Sequence, residues 1–142
     1  MANIRSLNMV ILVGHLSTDV KFKWIKIEKK GTDKVETRGM ASFNVATNET
    51  WGKQSKRHEF HRVVCWAKKA EHCNKYLKKG SFINVVGKLR HRSFKGNNGR
   101  VQWITEVNAD EITFLDKKED FADVRKEEAP APGPKEIKDP FV

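Results

Sequence analysis

Two stretches of this sequence set rings and cations at every second position. Phe60, Arg62, Val64 and Trp66 share one parity, opposite His61, Val63 and Cys65; Lys88, Arg90, Arg92 and Phe94 share another, opposite Gly87, Leu89 and His91. On an extended strand alternate side chains project to the same side, so each stretch presents its aromatics and its cations together. Three like charges along one strand face repel unless an anion lies across them, and a row of phosphates is such an anion. Rings among the cations offer bases a stacking surface worth roughly 1–3 kcal/mol per base, largely indifferent to sequence. The chemistry is that of gripping a single nucleic-acid strand. Trp51, in a polar stretch before Gly52, Lys53 and Gln54, joins the set, and Phe94, between Ser93 and Lys95, is expected to be exposed with it. Taken singly, such rings are more often core than ligand; shared parity with arginines is what favours binding. Trp24 and Trp103 lie in alternating strand patterns that suit packing and ligand contact equally.

Other chemistries fit less well. His58, His61, Cys65 and Cys73 offer ligand types that zinc accepts, but on a strand His58 points away from His61 and Cys65, while Cys73 falls on the apolar stripe of a helix. A magnesium-dependent nuclease needs clustered carboxylates; Glu106, Asp110 and Glu111 have no acidic companion and read as solvated surface. No catalytic site, metal or cofactor is expected. A duplex reader needs a groove-entering helix, whereas the one helix here carries Lys68, Lys69, Glu71, Lys75, Lys78 and Lys79 on an ordinary solvated face.

The elements that must carry these residues are mostly strands. Residues 9–13 are a short branched apolar run ended by Gly14, as in a buried strand. Val20, Phe22 and Trp24 alternate with lysines, residues 30–34 supply turn chemistry, and residues 40–47 return with Ala41, Phe43 and Val45 on one face. Residues 48–57 read as a polar loop and 58–66 as a strand. Over 67–79 the period changes, with Ala70, Cys73 and Leu77 at helical spacing and Gly80 closing the helix. Residues 81–92 and 100–115 are the last strands, joined by the turn Gly96-Asn97-Asn98-Gly99. Antiparallel strands with one interposed helix predict a mainly β fold, a five-stranded Greek-key barrel of the oligonucleotide-binding (OB) type with the helix before the fourth strand, a β sandwich being the alternative.

Charge divides the chain. Residues 1–115 hold 22 basic and 10 acidic side chains, net +12, and residues 116–142 hold 6 and 8, net −2. The first part is expected to be the binding domain, because such an excess attracts polyanions through counterion release. The second is expected to be a flexible tail, with Ala129-Pro130-Ala131-Pro132-Gly133-Pro134 unable to build helix or sheet. Two cysteines are too few for a disulfide framework, and no apolar run reaches the ~20 residues needed to span a bilayer. Together these predict a cytoplasmic protein with no membrane partner. His61, Val63 and Cys65, opposite the proposed platform, are expected to serve association between subunits.

The motifs Asn8-Met9-Val10-Ile11-Leu12-Val13-Gly14-His15-Leu16, Ala46-Thr47-Asn48-Glu49-Thr50-Trp51, Glu59-Phe60-His61-Arg62-Val63-Val64, Tyr76-Leu77-Lys78-Lys79-Gly80-Ser81 and Gly87-Lys88-Leu89-Arg90 are similar to those of the bacterial-type single-stranded DNA-binding protein family, which phages and plasmids also carry. The resemblance covers roughly residues 6–115. It implies an OB fold assembled as a homotetramer that coats single strands in replication, recombination and repair, with Trp51, Phe60, Trp66 and Phe94 matching the family's stacking aromatics. Three departures stand out: His15 replaces the usual Asn, residues 24–38 are more basic than typical, and the chain ends Asp139-Pro140-Phe141-Val142, so Phe141 is not terminal. The family's acidic tail end docks partner proteins, which makes these four residues the candidate partner site; the short, weakly acidic tail leans towards a phage or plasmid member. An RNA-binding or replication-restart module of the same fold is the alternative function.

Overall fold

Apolar residues from every strand, Leu16, Phe22, Phe43, Val63, Val85 and Val107 among them, gather in one core inside a closed sheet. The computed structural model describes residues 5–31 and 33–116; the expected tail, with Asp139, Pro140, Phe141 and Val142, lies outside the described residues. The elements are β1 (Val10–Leu16), β2 (Lys21–Glu28), β3 (Val35–Trp51), β4 (Ser55–Trp66), α1 (Ala67–Tyr76), β5 (Phe82–Lys95) and β6 (Val101–Phe114). They form one sheet in the order β1-β5-β6-β4-β3-β2, closed by β1 pairing with β3. This is the OB barrel. Among the described residues there are six strands rather than five because the first strand of the Greek key breaks at residues 17–20: β1 pairs with β5, and β2 continues beside β3.

Ala41, Phe43 and Val45 point inward as their spacing predicts, meeting Val63 and Cys65 from β4 and Ile83 and Val85 from β5. The helix stripe of Ala70, Cys73 and Leu77 is fully buried against them. The helix ends earlier than expected, at Tyr76, with Leu77 already extended. Gly80, at φ 96°, instead serves the following turn, where Ser81 N–H donates to the Lys78 carbonyl.

Two glycines are demanded by close approach. At Gly14 a Cβ would collide with the Ala46 carbonyl where β1 meets β3, and at Gly87 with the Asn108 carbonyl. The second lies beside a bulge in β6, where Gly87 pairs with Ala109 but Val86 with Glu111. The extra residue shifts the phase of the strand. Val107 and Ala109 face the core before it, and Ile112 and Phe114 pack against the core after it; an unbroken alternation would send Glu111 and Thr113 inward.

Two expectations fail at the barrel's margins. The run 9–13 is not buried throughout: Val10 and Leu12 pack on the core, whereas Met9, Ile11 and Val13 are exposed. The polar loop 48–57 is largely strand, since β3 and β4 stay paired out to Trp51 and Ser55. Polar residues read as loop chemistry because a hairpin that leaves the barrel has water on both faces.

Candidate nucleic-acid interface

The two predicted strand faces lie on the same outer surface but are not neighbours. Strand β6 runs between β4 and β5. Pairing registers align Lys88, Asn108, Val64, Ser42 and Lys21 in one row across five strands. One step along β6 from Asn108, on the same face, is Glu106, whose pairing partner is Arg90. Strand β6 therefore puts a carboxylate into the middle of the basic platform.

That carboxylate is 8% exposed and grips two predicted site residues. Arg62 Nε donates to Glu106 Oε2 at 3.2 Å, and Arg92 Nε donates to Oε1 at 3.2 Å. Glu106 is not solvated surface, as its lack of acidic companions suggested; its companions are cations from two other strands. The repulsion that argued for an external anion is met in part by an internal one. Sequence reasoning missed this contact because 44 residues separate Arg62 from Glu106. The available signal was parity: Ile104, Glu106 and Asn108 share the face of β6 opposite the inward Val107 and Ala109, and Glu106 is the acidic one of the three.

Lys88 and Arg90 are exposed, completing a cationic row on β5. Phe60, 64% exposed, stands at the rim with Arg62 and the half-buried Trp66 along the same face of β4. Phe94 is half-buried rather than exposed, because the Arg92 guanidinium lies over its ring at 5.8 Å. A cation over an aromatic face is favourable in itself and holds both groups in place. Seven of the eight sequence-predicted residues thus share this surface.

Trp51 is the exception. It is 53% exposed, but it pairs with Ser55, so by register it falls on the face of the β3–β4 hairpin opposite Phe60. Trp103 likewise takes the other side of the β5–β6 hairpin from Phe94; paired with Ser93, it is 74% exposed. Trp24 packs edge-on against Phe22 at 5.2 Å.

The face expected to join subunits is corrected at Val63 and Cys65. Val63 and Cys65 are fully buried in the barrel and cannot meet another chain, because the parity opposite the platform is the core. His61 Nε2 bonds Thr47 Oγ1 at 2.8 Å, and His58 Nδ1 bonds Asn48 Oδ1. Cys65 Sγ donates to Cys73 Sγ at 3.6 Å; that bond, together with burial, pushes the Cys65 thiol far above its ordinary range. Among the described residues no three His, Cys, Asp or Glu side chains gather as metal ligands, and no helix is long and apolar enough to cross a membrane. In the basic segment around the β2–β3 turn, the Arg38 guanidinium, helped by Lys29, holds Glu36 below the usual carboxylate range.

Residues 7–115 match the single-strand binding protein family. A single-stranded DNA-binding protein of Oceanobacillus iheyensis is 35% identical over 79% of this chain and 65% of its own length. Single-stranded DNA-binding protein 1 of Staphylococcus aureus strain MSSA476 is 37% identical over 79% of this chain and 67% of its own. The chain thus spans about two thirds of the length of these curated relatives. Among solved structures, a Plasmodium falciparum SSB in complex with ssDNA superposes with a TM-score of 0.64 at 28% identity, covering 81% of this chain and all of that one. The barrel with its ring-and-cation face and the match over residues 7–115 lead to one assignment: this chain belongs to the single-strand binding protein family.

Proposed function

We propose that this protein binds single-stranded DNA without sequence preference and covers it during replication, recombination and repair, acting in the cytoplasm as a binding protein rather than an enzyme. The observation that carries this reading is the outer face on which Phe60, Arg62 and Trp66 of β4 and Lys88, Arg90, Arg92 and Phe94 of β5 stand together; Trp51 is exposed on the opposite side of the β3–β4 hairpin. Bases stack on the rings and the cations meet the phosphates, so affinity tracks ring count and salt rather than sequence. A duplex keeps its base faces inside and offers the rings nothing. Titrating homopolymeric DNA strands against duplex of equal length at rising salt tests this: single strands bind more tightly, and binding weakens with salt. Preference for duplex would overturn the reading, and preference for RNA of the same sequence would move it to RNA.

A second observation supports self-association. Leu7, Met9, Ile11 and Val13, alternate residues running into β1, are 50–83% exposed. Over Val10 to Gly14 strand β1 pairs with β5 only, β3 joining at His15 and Leu16. An apolar stripe beside an open strand edge suits a second copy of the same strand, which would cover both at once. The homotetramer expected from the family resemblance is proposed to form through this face. Asp139, Pro140, Phe141 and Val142 are proposed as the end that meets replication or repair proteins; removing Phe141 and Val142 is expected to leave single-strand affinity unchanged.

A further inference from the structure

We propose that Glu106 is a positioning and charge-tuning residue of the interface: it holds Arg62 and Arg92 together on the platform and cancels one of their two charges, so that this part of the face engages DNA as a single cation. The inference rests on the single-strand reading above and deepens it.

The geometry supplies both halves. Arg62 comes from β4 and Arg92 from β5, on either side of β6. Each gives its Nε to a different oxygen of the same carboxylate, both at 3.2 Å. A carboxylate accepting from two guanidiniums orients both side chains. At 8% exposure Glu106 is shielded from water, so screening by salt weakens these pairs less than it weakens contacts with passing ions. Arg92 in turn covers the Phe94 ring, so the carboxylate also sets where a proposed stacking ring is held. Lys88 and Arg90 remain exposed on the same face. The platform thus contains two kinds of cation: two exposed ones, and two that share a built-in anion. The consequence is electrostatic restraint, with less of the affinity carried by phosphate and more by stacking than the number of arginines suggests.

The salt dependence of binding reads this directly, because the slope of log affinity against log salt falls by about 0.7 for each phosphate neutralised on a single strand. Glu106→Gln removes the charge while keeping an oxygen that can accept a hydrogen bond. It is expected to steepen the slope by about 0.7, equivalent to a further ~2- to 3-fold loss of affinity between 50 and 200 mM salt. Glu106→Asp, which keeps the charge, should retain the wild-type slope. The double variant Arg92→Gln/Glu106→Gln guards against a poorly folding single variant: it removes one cation and one anion, so its slope should also match the wild type. A wild-type slope in Glu106→Gln, or a double variant shallower by the full ~0.7 as though Arg92 were an independent phosphate contact, would overturn the proposal. Failure of the underlying reading looks different. In that case the unmutated protein shows no preference for single strands at any salt.

Discussion

The ring-and-cation face and the stripe entering β1 are neighbouring parts of one barrel surface, and both expose apolar side chains at alternate positions. They differ in what stands beside those side chains. Phe60 and Trp66 flank Arg62, and Phe94 follows Lys88, Arg90 and Arg92, whereas the strand Val10–Leu16 contains no lysine or arginine. Rings among cations suit a flexible polyanion with exposed bases. A bare aliphatic stripe suits only another apolar surface, because it has nothing with which to orient a charged partner. Exposure alone does not separate the two faces; interleaved charge does.

The largest effect that would sharpen this contrast comes from charging the stripe. Ile11→Lys places an unpaired ammonium in the proposed subunit contact, at a cost of about 3–5 kcal/mol if it is buried there. Light scattering at micromolar concentration should show assembly lost, while affinity for an oligonucleotide short enough for one subunit stays close to wild type. Longer strands will bind more weakly because linked sites no longer cooperate. An assembled Ile11→Lys protein would break the comparison.

Phe60→Ala should do the opposite. Losing one stacking ring weakens single-strand binding by about 1–3 kcal/mol, read by equilibrium titration, with the oligomer's mass unchanged. Trp103→Ala is the smaller test of whether facing matters. Trp103 is more exposed than Phe60, yet it stands on the opposite side of its hairpin from Phe94, so the loss is expected to stay below ~1 kcal/mol, under the range of a stacking contact. A loss equal to that of Phe60→Ala would mean that DNA passes over both faces of the β5–β6 hairpin.

The smallest effect concerns the core behind both faces. Because the Cys65 thiol is raised by its bond to Cys73 and by burial, the folded barrel keeps it protonated while an unfolded chain ionises at the ordinary value. This stabilisation is complete below pH 9.0, the ordinary value, and fades as pH rises above it. Thermal stability should therefore fall in alkaline buffer less steeply in Cys65→Ala than in the wild type, and because Cys65 and Cys73 are both buried, native protein should resist alkylation at either. Rapid labelling of the folded protein would contradict the burial.

Much of this was legible from local pattern. The parity of Phe60, Arg62 and Trp66, the inward set Ala41, Phe43 and Val45, and the stripe Ala70, Cys73 and Leu77 follow from where Cβ bonds point on a strand or a helix. Even the β6 bulge has a signature, in the change of phase between Ala109 and Ile112. Hairpin length was less legible: the polar residues of 48–57 resemble a loop because neither side of an emergent hairpin is covered.

Side-chain alternation and charge are properties of each segment, and the sequence by itself determined them: a basic β barrel domain with rings and cations on shared faces. The lateral order of the strands is not local. Only barrel closure decided that β6 separates β4 from β5, bringing Glu106 between Arg62 and Arg92. Closure likewise made the parity of Val63 and Cys65 the interior and left Met9, Ile11 and Val13 outside. A strand's pattern specifies that it has two faces; which face becomes the inside depends on which strands it pairs with, and pairings such as β1 with β5 or β4 with β6 are not between neighbours in the chain.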